Sequence, residues 1–279
     1  MKVLVTGAEG FIGRYVVRLL RQKGHEVLGM DIVGNPDIKA DISEPLKTIN
    51  SLDAVIHLAA VSHPRECDAN PSKAFNVNVG ATHQVLKMAL ASGAKKFVFS
   101  SSAHVYDIPP RYMPTDETHP LRLNNTYTTT KILGEQLCDL YWTNHGLRYT
   151  TLRLFNAYGP GQQPGYFIPD ILKKVVIDLR PNSRTTKDWV YVEDVADAFL
   201  KALATSFVGA INIGTGIETE LRMIAYDVAH VTGADVVMDP DDGGTRMCAD
   251  ITRAQRILGW EPKVKLEEGL DRIFNLAKV

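Results

Sequence analysis

Cysteine is scarce in this chain, and its placement rules out a cysteine framework. The three cysteines, Cys67, Cys138 and Cys248, are far apart and odd in number, and no Cys-x-x-Cys occurs. Disulfide scaffolds and cysteine-ligated zinc sites need paired cysteines at short spacing. The sequence therefore argues against both, predicts no metal site, and favours a reducing compartment.

Long apolar runs and an excess of charge of one sign are also absent. No segment approaches the roughly 18 apolar residues that a membrane-spanning helix needs. The first strand pattern starts at Lys2, which leaves no room for a secretory leader. With 31 basic and 32 acidic residues, the net charge is −1. Nucleic acids and membranes are therefore not expected partners, and we expect a cytoplasmic protein.

Short apolar strands alternate with amphipathic helices over the first 155 residues. Strand patterns cover residues 3–6, 27–30, 54–59, 96–101 and 149–154, and helical patterns cover 12–23, 71–92 and 126–144. Parallel strands need crossover connections. This order therefore predicts an α/β fold with a doubly wound parallel sheet between two layers of helices.

Prolines loosen the pattern after Asn156. Helices are predicted near residues 168–178 and at 193–204, 221–232 and 251–258, and strands are predicted at 188–192 and 210–213. We expect residues 1–155, joined by 187–213, to form the larger domain. Residues 156–186 and 214–279 are expected to form a smaller α/β lobe that binds substrate.

The strongest local signal is the glycine-rich stretch at residues 3–14, Val-Leu-Val-Thr-Gly-Ala-Glu-Gly-Phe-Ile-Gly-Arg. An apolar strand ends at Gly7, and Gly10 and Gly13 follow at three-residue spacing as a helical pattern begins. Such a turn directs backbone N–H groups and the positive end of a helix dipole at an anion. The spacing is that of a Rossmann-type dinucleotide-binding turn.

Asp31 ends the second strand pattern, eighteen residues after Gly13. A carboxylate at this place accepts hydrogen bonds from ribose hydroxyls and repels a 2′-phosphate. Because Ile32 and Val33 follow it instead of an arginine, the sequence favours NAD over NADP. The alternative is a glycine turn of some other α/β protein, with Asp31 as an ordinary loop acid.

Tyr127 and Lys131 are four residues apart on a predicted helix, so both project from one face. The spacing alone is a weak signal, but a serine run, residues 100–102, ends the preceding strand where doubly wound sheets bind ligands. The pKa of a phenol, ordinarily about 10, must fall by about 3 units for it to act as a base at neutral pH. Lys131 and the positive charge of an oxidised nicotinamide could together supply that fall, with a serine relaying the proton.

Further motifs follow in order along nearly the whole chain. They are Asp41-Ile42, His-Leu-Ala-Ala at 57–60, Asn78, Phe-Ser-Ser-Ser-Ala-His-Val-Tyr at 99–106, Leu-Arg-Leu-Phe-Asn-Ala-Tyr-Gly-Pro-Gly at 152–161, Asp-Trp-Val-Tyr-Val-Glu-Asp at 188–194, Asn-Ile-Gly-Thr-Gly at 212–216, Ala-Asp at 249–250 and Leu-Gly-Trp-Glu-Pro at 258–262. Together with the glycine turn and the Tyr127/Lys131 pair, they resemble the extended short-chain dehydrogenase/reductases of the NAD-dependent epimerase/dehydratase family. Within it, the UDP-glucose/UDP-galactose 4-epimerase-like sugar-nucleotide branch is the most similar.

The resemblance implies a role for each matching residue. Tyr127 would be the catalytic acid/base, Lys131 would hold the nicotinamide ribose, and Ser102 would contact the sugar hydroxyl. Cofactor contacts are implied at Gly7, Gly10, Phe11, Ile12, Gly13, Asp31, Asp41, Ile42, Leu58, Ala59, Ala60, Asn78, Ser100, Tyr127 and Lys131. Substrate contacts are implied at Ser102, His104, Tyr127, Asn156 and Arg246, the last two at the diphosphate of a nucleotide sugar. A guanidinium fork suits phosphate oxygens, although Arg246 could instead be a surface arginine.

Two departures from the family pattern bear on the reaction. Dehydrating branches carry an acidic residue just after the position of Ser102, where this chain has Ala103 and His104. The missing carboxylate disfavours dehydration, although His104 could supply acid–base chemistry or could simply line the pocket. The segment 156–188 is also shorter than usual, and its basic residues could grip phosphates or form a solvated loop.

We therefore predict an NAD-dependent sugar-nucleotide epimerase that inverts C4 of a hexose through a transient 4-keto intermediate. The alternatives are a net dehydrogenase of a sugar, uronate or sugar nucleotide, a dehydratase that uses His104, and a regulator that binds NAD without turnover. The helix at 126–144 has more apolar residues than one face needs, which predicts a homodimer. Burial of that helix beneath the smaller lobe is the alternative.

Overall fold

Parallel strands organise the part of the chain that the computed structural model describes, residues 1–239 and 243–277. The strands are β1 (Lys2–Thr6), β2 (Glu26–Asp31), β3 (Ile38–Lys39), β4 (Ala54–His57), β5 (Lys96–Ser102), β6 (Arg148–Leu154), β7 (Asn156–Tyr158), β8 (Val176–Asp178), β9 (Thr186–Lys187), β10 (Trp189–Tyr191), β11 (Gly209–Ile213), β12 (Thr219–Glu220) and β13 (Asp235–Val237). Seven of them form one sheet in the order β3-β2-β1-β4-β5-β6-β11, with every neighbouring pair parallel. The predicted doubly wound sheet is confirmed.

Helices cover both faces of this sheet. They are α1 (Phe11–Gln22), α2 (Pro64–Ala69), α3 (Pro71–Phe75), α4 (Ala81–Ala91), α5 (Thr126–His145), α6 (Phe167–Ile171), α7 (Val192–Ala204), α8 (Leu221–Thr232), α9 (Thr252–Leu258) and α10 (Leu266–Ala277). Apolar side chains of α1 and α7 share one core cluster with the sheet, and those of α4 and α5 share a second. The carboxyl ends of the strands therefore open between two helical layers, where such folds bind ligands.

A third apolar cluster is built from segments of the predicted smaller lobe and from β10. It contains Tyr158, Ile177, Trp189 and Ile224, with helices α6, α8 and α10 around them. Here the predicted helix near 168–178 was wrong, because α6 ends at Ile171 and β8 occupies residues 176–178, pairing in parallel with β13. The β-branched run Val175-Val176-Ile177 favours an extended backbone over a helix.

The helical pattern at 71–92 is realised in three pieces. Helix α3 ends at Phe75, a π-helical turn occupies Asn76–Gly80, and α4 continues from Ala81. The turn buries the Asn78 side chain, whose amide group contacts both the Val61 backbone and α5. π-Turns inside helices are frequent at functional sites, and this one faces the site described below.

Helix α5 carries the Tyr127/Lys131 pair and is fixed at both ends. Asn125 accepts a hydrogen bond from the Thr128 N–H and the Thr128 hydroxyl bonds back, which closes a capping box. At the other end Gly146 adopts φ +69° and stops the helix. Between them Gly134 lies directly against the Phe99 ring of β5. A glycine here lets the helix axis approach the strand closely.

Replacing Gly134 with alanine should therefore destabilise the protein by about 1–3 kcal/mol, the usual effect of overpacking a core. The added Cβ would lie 2.5 Å from Cζ of Phe99, so the ring or the helix must move. Urea-induced unfolding measures the change.

Gly80 provides the matched control, because its backbone is helical (φ −59°, ψ −49°) and an added Cβ would come no closer than 3.5 Å to Oδ1 of Asn76. Gly80→Ala should be neutral or stabilising by up to ~1 kcal/mol. Equal destabilisation by both substitutions would contradict the importance of the Gly134–Phe99 contact.

Candidate active site

The glycine-rich turn after β1 has the geometry of an anion cradle. Gly7 adopts φ +71°, and a Cβ there would lie 2.7 Å from the Ala59 backbone nitrogen. A Cβ on Gly13 would lie 1.9 Å from the Gly7 carbonyl oxygen. There is thus no room for a side chain between this turn and the loop after β4. There is also none between the turn and α1. The backbone is left free to approach a pyrophosphate closely.

The N-terminus of α1 faces this turn, and no side chain of the protein caps its free N–H groups. Gly10 is the N-cap, no side chain caps the helix, and no acid occurs in its first turn. The N–H groups of Phe11 and Ile12 therefore stand at the positive end of the dipole with no carboxylate beside them. These residues fit the diphosphate of a dinucleotide.

Asp31 lies at the carboxyl end of β2, as predicted, next to the glycine turn. One carboxylate oxygen accepts from the Glu9 N–H at 2.9 Å, and the other accepts from the Ile32 N–H at 2.7 Å. These bonds fix the carboxylate at the point where an adenosine ribose is expected. Asp41 bonds to Ser43 in its own turn, which lowers the pKa of its carboxyl, and the Ile42 side chain is buried in the core.

Ser102, Tyr127 and Lys131 are brought together between β5 and α5. The Tyr127 phenol is buried and lies close to the Ser102 side chain. The Lys131 ammonium donates to the Ser100 carbonyl oxygen at 2.9 Å and lies 5.8 Å from the centre of the Tyr127 ring. This is the arrangement that a proton-abstracting phenol with an adjacent cation requires.

Burial shifts the pKa of both groups against ionisation. Desolvation raises the pKa of Tyr127, and the interaction with the nearby Ser102 hydroxyl opposes this only in part. Desolvation lowers the pKa of Lys131 to about 8, with Cys67 and Glu135 acting in the opposite direction. The phenol therefore keeps its proton at neutral pH in the free protein. A further positive charge, such as that of oxidised nicotinamide, is needed to make it a base.

His104 follows Ser102 in a short 3₁₀ turn, Ala103–Val105, and is half-buried. Desolvation, assisted by the charge of Lys187, lowers the pKa of its imidazole to about 4. His104 is consequently neutral at pH 7 and is a poor proton donor. Lys187 comes from the shortened segment, and burial lowers the pKa of its ammonium.

Three other predicted contact residues are held by protein partners. The Asn78 amide bonds to both backbone groups of Val61 and to Thr130. Asn156 donates its side-chain N–H to the Asp188 carbonyl oxygen at 3.0 Å. Arg246, still exposed, forms a two-pronged ion pair with Glu218 at 2.5 and 2.6 Å and lines a small cavity beside Ala103 and Tyr106. The Asn78 amide therefore has little hydrogen-bonding capacity left for a ligand. Arg246, in contrast, needs only to exchange the Glu218 carboxylate for an anionic group of a ligand.

A contact between the segment before α6 and the loop after β4 was not predicted from the sequence. Tyr166, just before α6, hydrogen-bonds with Ser62 at 3.1 Å and packs edge-on against His63. The His63 ring also hydrogen-bonds with the Gly165 carbonyl oxygen at 2.9 Å. Electrostatic interaction with Tyr166 also raises the pKa of Tyr127, so the two phenols are close. No spacing rule joins residues about one hundred positions apart, and only the fold could reveal this contact.

Comparison with known proteins identifies the family. Residues 3–214 match the NAD dependent epimerase/dehydratase family. The chain belongs to this family. A putative UDP-glucose 4-epimerase of Methanocaldococcus jannaschii is 33% identical over 99% of this chain and 98% of its own length. UDP-glucuronic acid decarboxylase 6 of Arabidopsis thaliana is 31% identical over 97% and 87%, respectively.

Solved structures agree with these relatives. MoeE5 in complex with UDP-glucose and NAD superposes with a TM-score of 0.90 at 26% identity, covering 100% of this chain and 99% of that one. The protein is thus an NAD-dependent sugar-nucleotide enzyme of the epimerase/dehydratase type. The glycine turn, the uncapped α1 terminus and Asp31 are the residues that fit NAD.

Residues 1–239 and 243–277 contain no helix that is both long and apolar enough to cross a bilayer. Within the same residues, no three His, Cys, Asp or Glu side chains are grouped as metal ligands.

The pKa of Lys131 predicts the alkaline limit of turnover. Lys131 is charged below about pH 8 and loses its proton above it. Because the phenol needs the neighbouring ammonium, kcat should fall as the pH rises through about 8, or somewhat lower once a cationic nicotinamide is bound. The pH dependence of kcat on a nucleotide sugar measures this, with cofactor fluorescence confirming that NAD stays bound. A rate that stays level far above this pH would contradict the requirement for a charged Lys131.

Proposed function

We propose that this protein is an epimerase that inverts C4 of a nucleotide hexose. The observation that carries the proposal is the placement of Ser102, Tyr127 and Lys131 at the carboxyl end of β5, beside the glycine turn that fits NAD. The smaller lobe, residues 156–186 and 214–279, is proposed to hold the substrate. Asn156 and Arg246 would lie at its diphosphate.

Tyr127 is proposed to take the proton of the sugar hydroxyl, directly or through Ser102, and to return it later. NAD, when bound at the glycine turn, would supply reversible hydride chemistry at the sugar carbon. The Lys131 ammonium, held by the Ser100 carbonyl, orients the nicotinamide ribose and stabilises the phenolate. Since the proton and the hydride are both returned, the reaction has no net redox change.

The surroundings of Ser102 support epimerisation over dehydration. Dehydration needs an additional group that moves a proton, and the residue after Ser102 is Ala103. The pKa of His104 is lowered to about 4, so its imidazole is neutral at pH 7 and is a poor acid and a weak base.

Decarboxylation of a nucleotide uronate is the second candidate. A plant UDP-glucuronic acid decarboxylase is among the relatives, and decarboxylation can start from the same C4 oxidation. Lys187 also favours it: this half-buried ammonium near His104 forms no ion pair within the described residues and could receive a carboxylate. Production of CO₂ and a nucleotide pentose would then replace epimerisation.

Assays of the purified protein with UDP-glucose, UDP-galactose and UDP-glucuronate distinguish these reactions. Epimerisation gives the C4 epimer without accumulation of NADH. A net dehydrogenase accumulates NADH in proportion to product, and a regulator gives neither. Absence of turnover with every nucleotide sugar would overturn the proposal.

Tyr127→Phe should lower kcat by at least about 10²-fold, the usual effect of losing a general acid–base group. Retention of NAD should be unchanged, because the ring and Lys131 remain. Tyr149→Phe is the matched control: Tyr149 is also buried but bonds to Asp139, in the core between the sheet and α5. Its activity should stay within about threefold of the native protein, as expected for a site remote from the chemistry. Full activity of Tyr127→Phe would exclude the assigned base.

We also propose that the protein is a homodimer that pairs through α4 and α5. Leu133 and Leu140, seven residues apart on α5, are 37% and 50% exposed, and Leu90 of α4 is 37% exposed. The smaller lobe therefore does not cover this face. Exposed leucines at helical spacing on two neighbouring helices are typical of an interface.

Leu140→Arg should shift the molecular mass in solution, measured by light scattering, from dimer towards monomer, because a charge is poorly tolerated in an apolar interface. Val175→Arg is the control, since Val175 is 81% exposed and lies on neither helix. A native protein that is monomeric at high concentration would refute the dimer.

A further inference from the structure

Three successive residues of β5 are joined to three successive turns of α5. Ser102 lies close to the Tyr127 phenol, and the Ser100 carbonyl accepts from Lys131. The Ser101 hydroxyl, between them on the strand, donates to Oε1 of Glu135 at 2.5 Å. Tyr127, Lys131 and Glu135 are spaced by four residues, so all three lie along one side of the helix.

Glu135 is also held by the next strand of the sheet. Arg153 of β6 donates Nε to one Glu135 oxygen at 3.0 Å and Nη2 to the other at 2.6 Å. Ser101 and Arg153 are register partners on adjacent parallel strands, and both side chains of the ion pair are only 7% exposed. Paired donation to a buried carboxylate constrains both its position and its orientation.

Arg153 is anchored in turn from its far side. Its Nη1 donates to the Tyr106 hydroxyl at 3.2 Å and to the Glu117 carbonyl oxygen at 3.3 Å. Tyr106 donates to Asn212 of β11 at 2.5 Å. The guanidinium is therefore fixed relative to the sheet and cannot follow α5 if the helix shifts.

We propose that Glu135 is a positioning residue: its bonds to Ser101 and Arg153 fix the register of α5 on β5 and thereby place Tyr127 and Lys131 for reaction. This inference rests on the proposed roles of those two residues. Glu135 contacts neither cofactor nor substrate on this view. It acts only through the helix that carries the reacting groups.

The charge of Glu135 adds a second effect on the same site. Lys131 faces Tyr127 and Glu135 of its own helix, Cys67 of α2 and His57 of β4, whose pKa of about 3 leaves it neutral. Of these neighbours, Glu135 is the carboxyl group, and its interaction with Lys131 raises the pKa of the ammonium. Its removal should therefore lower the pKa of Lys131 and weaken the ammonium that Tyr127 needs.

The first test is Glu135→Gln, which keeps the volume but places an amide N–H₂ among the donors of Ser101 and Arg153. We expect kcat to fall about tenfold or more, as for other small displacements of catalytic groups. KM for the nucleotide sugar should change little, the alkaline limb of the pH profile should move to lower pH, and the Kd for NAD should rise. A purely structural role would leave the pH profile in place.

Two further variants separate positioning from loss of stability. Asp194→Asn is the matched control, because the Asp194 carboxylate is likewise buried and holds two donors, the N–H groups of Lys263 and Val264, but lies on α7 and outside the network around Arg153. It should unfold more readily while kcat and the Kd for NAD stay near native. In Glu135→Met/Arg153→Met no unpaired charge remains, so stability should recover, as buried ion pairs often can be replaced by apolar residues. Its kcat should remain low.

Recovery of both stability and kcat in the double methionine variant would overturn the positioning role, as would an unshifted pH profile in Glu135→Gln. Failure of the proposed function would differ: the native protein would bind NAD but turn over no nucleotide sugar. In that case the Kd for NAD still decides the inference, because a displaced Lys131 should weaken NAD binding in Glu135→Gln and in the double variant but not in Asp194→Asn.

Discussion

The candidate site depends on how closely α5 lies against β5. The contact between Gly134 and the Phe99 ring brings the helix near enough for its side chains to reach the backbone of the strand. The buried Lys131 ammonium can then donate a hydrogen bond to the Ser100 carbonyl oxygen, and the Tyr127 phenol can approach the Ser102 side chain. At a larger separation, water would enter, and the desolvation that sets the pKa of both groups would disappear. The close packing of α5 on β5 therefore also sets the protonation of Tyr127 and Lys131.

In the free protein, desolvation disfavours the charged forms of both Tyr127 and Lys131. A buried phenol with a raised pKa and a buried ammonium with a lowered pKa both resist ionisation, so neither is poised to react by itself. A bound oxidised nicotinamide would change this balance by bringing a positive charge to the phenol. On the proposed mechanism, proton abstraction by Tyr127 would then require the oxidised cofactor, which would restrain unproductive chemistry at an empty site.

Much of this architecture follows from local sequence patterns. Short β-branched runs alternating with helices predict the parallel sheet, and the glycine spacing predicts the turn after β1, because both depend on neighbours in the chain. The helix predicted near 168–178 was wrong because periodicity around the α6 residues masked the strand preference of Val176 and Ile177. The two-residue strand β3 carries too little pattern to be recognised.

The candidate site was less predictable, because its partners come from distant segments. The four-residue spacing joined Tyr127 to Lys131, and extending it by one step would have reached Glu135. The spacing could not reveal Arg153, which approaches from another strand, nor the Glu218 carboxylate that already occupies Arg246. Long-range ion pairs of this kind are determined by the fold as a whole.

The Glu218–Arg246 pair bears on which ligands can gain from that arginine. Because the guanidinium of this pair is exposed to solvent, the pair contributes little to stability and Glu218 can be displaced at small cost. An incoming group must nevertheless offer two acceptors at once to match the carboxylate it replaces. A neutral monosaccharide has nothing to exchange, whereas a diphosphate ester does. If Arg246 lies at the substrate diphosphate, as proposed, the pair would favour anionic ligands before the sugar itself is recognised.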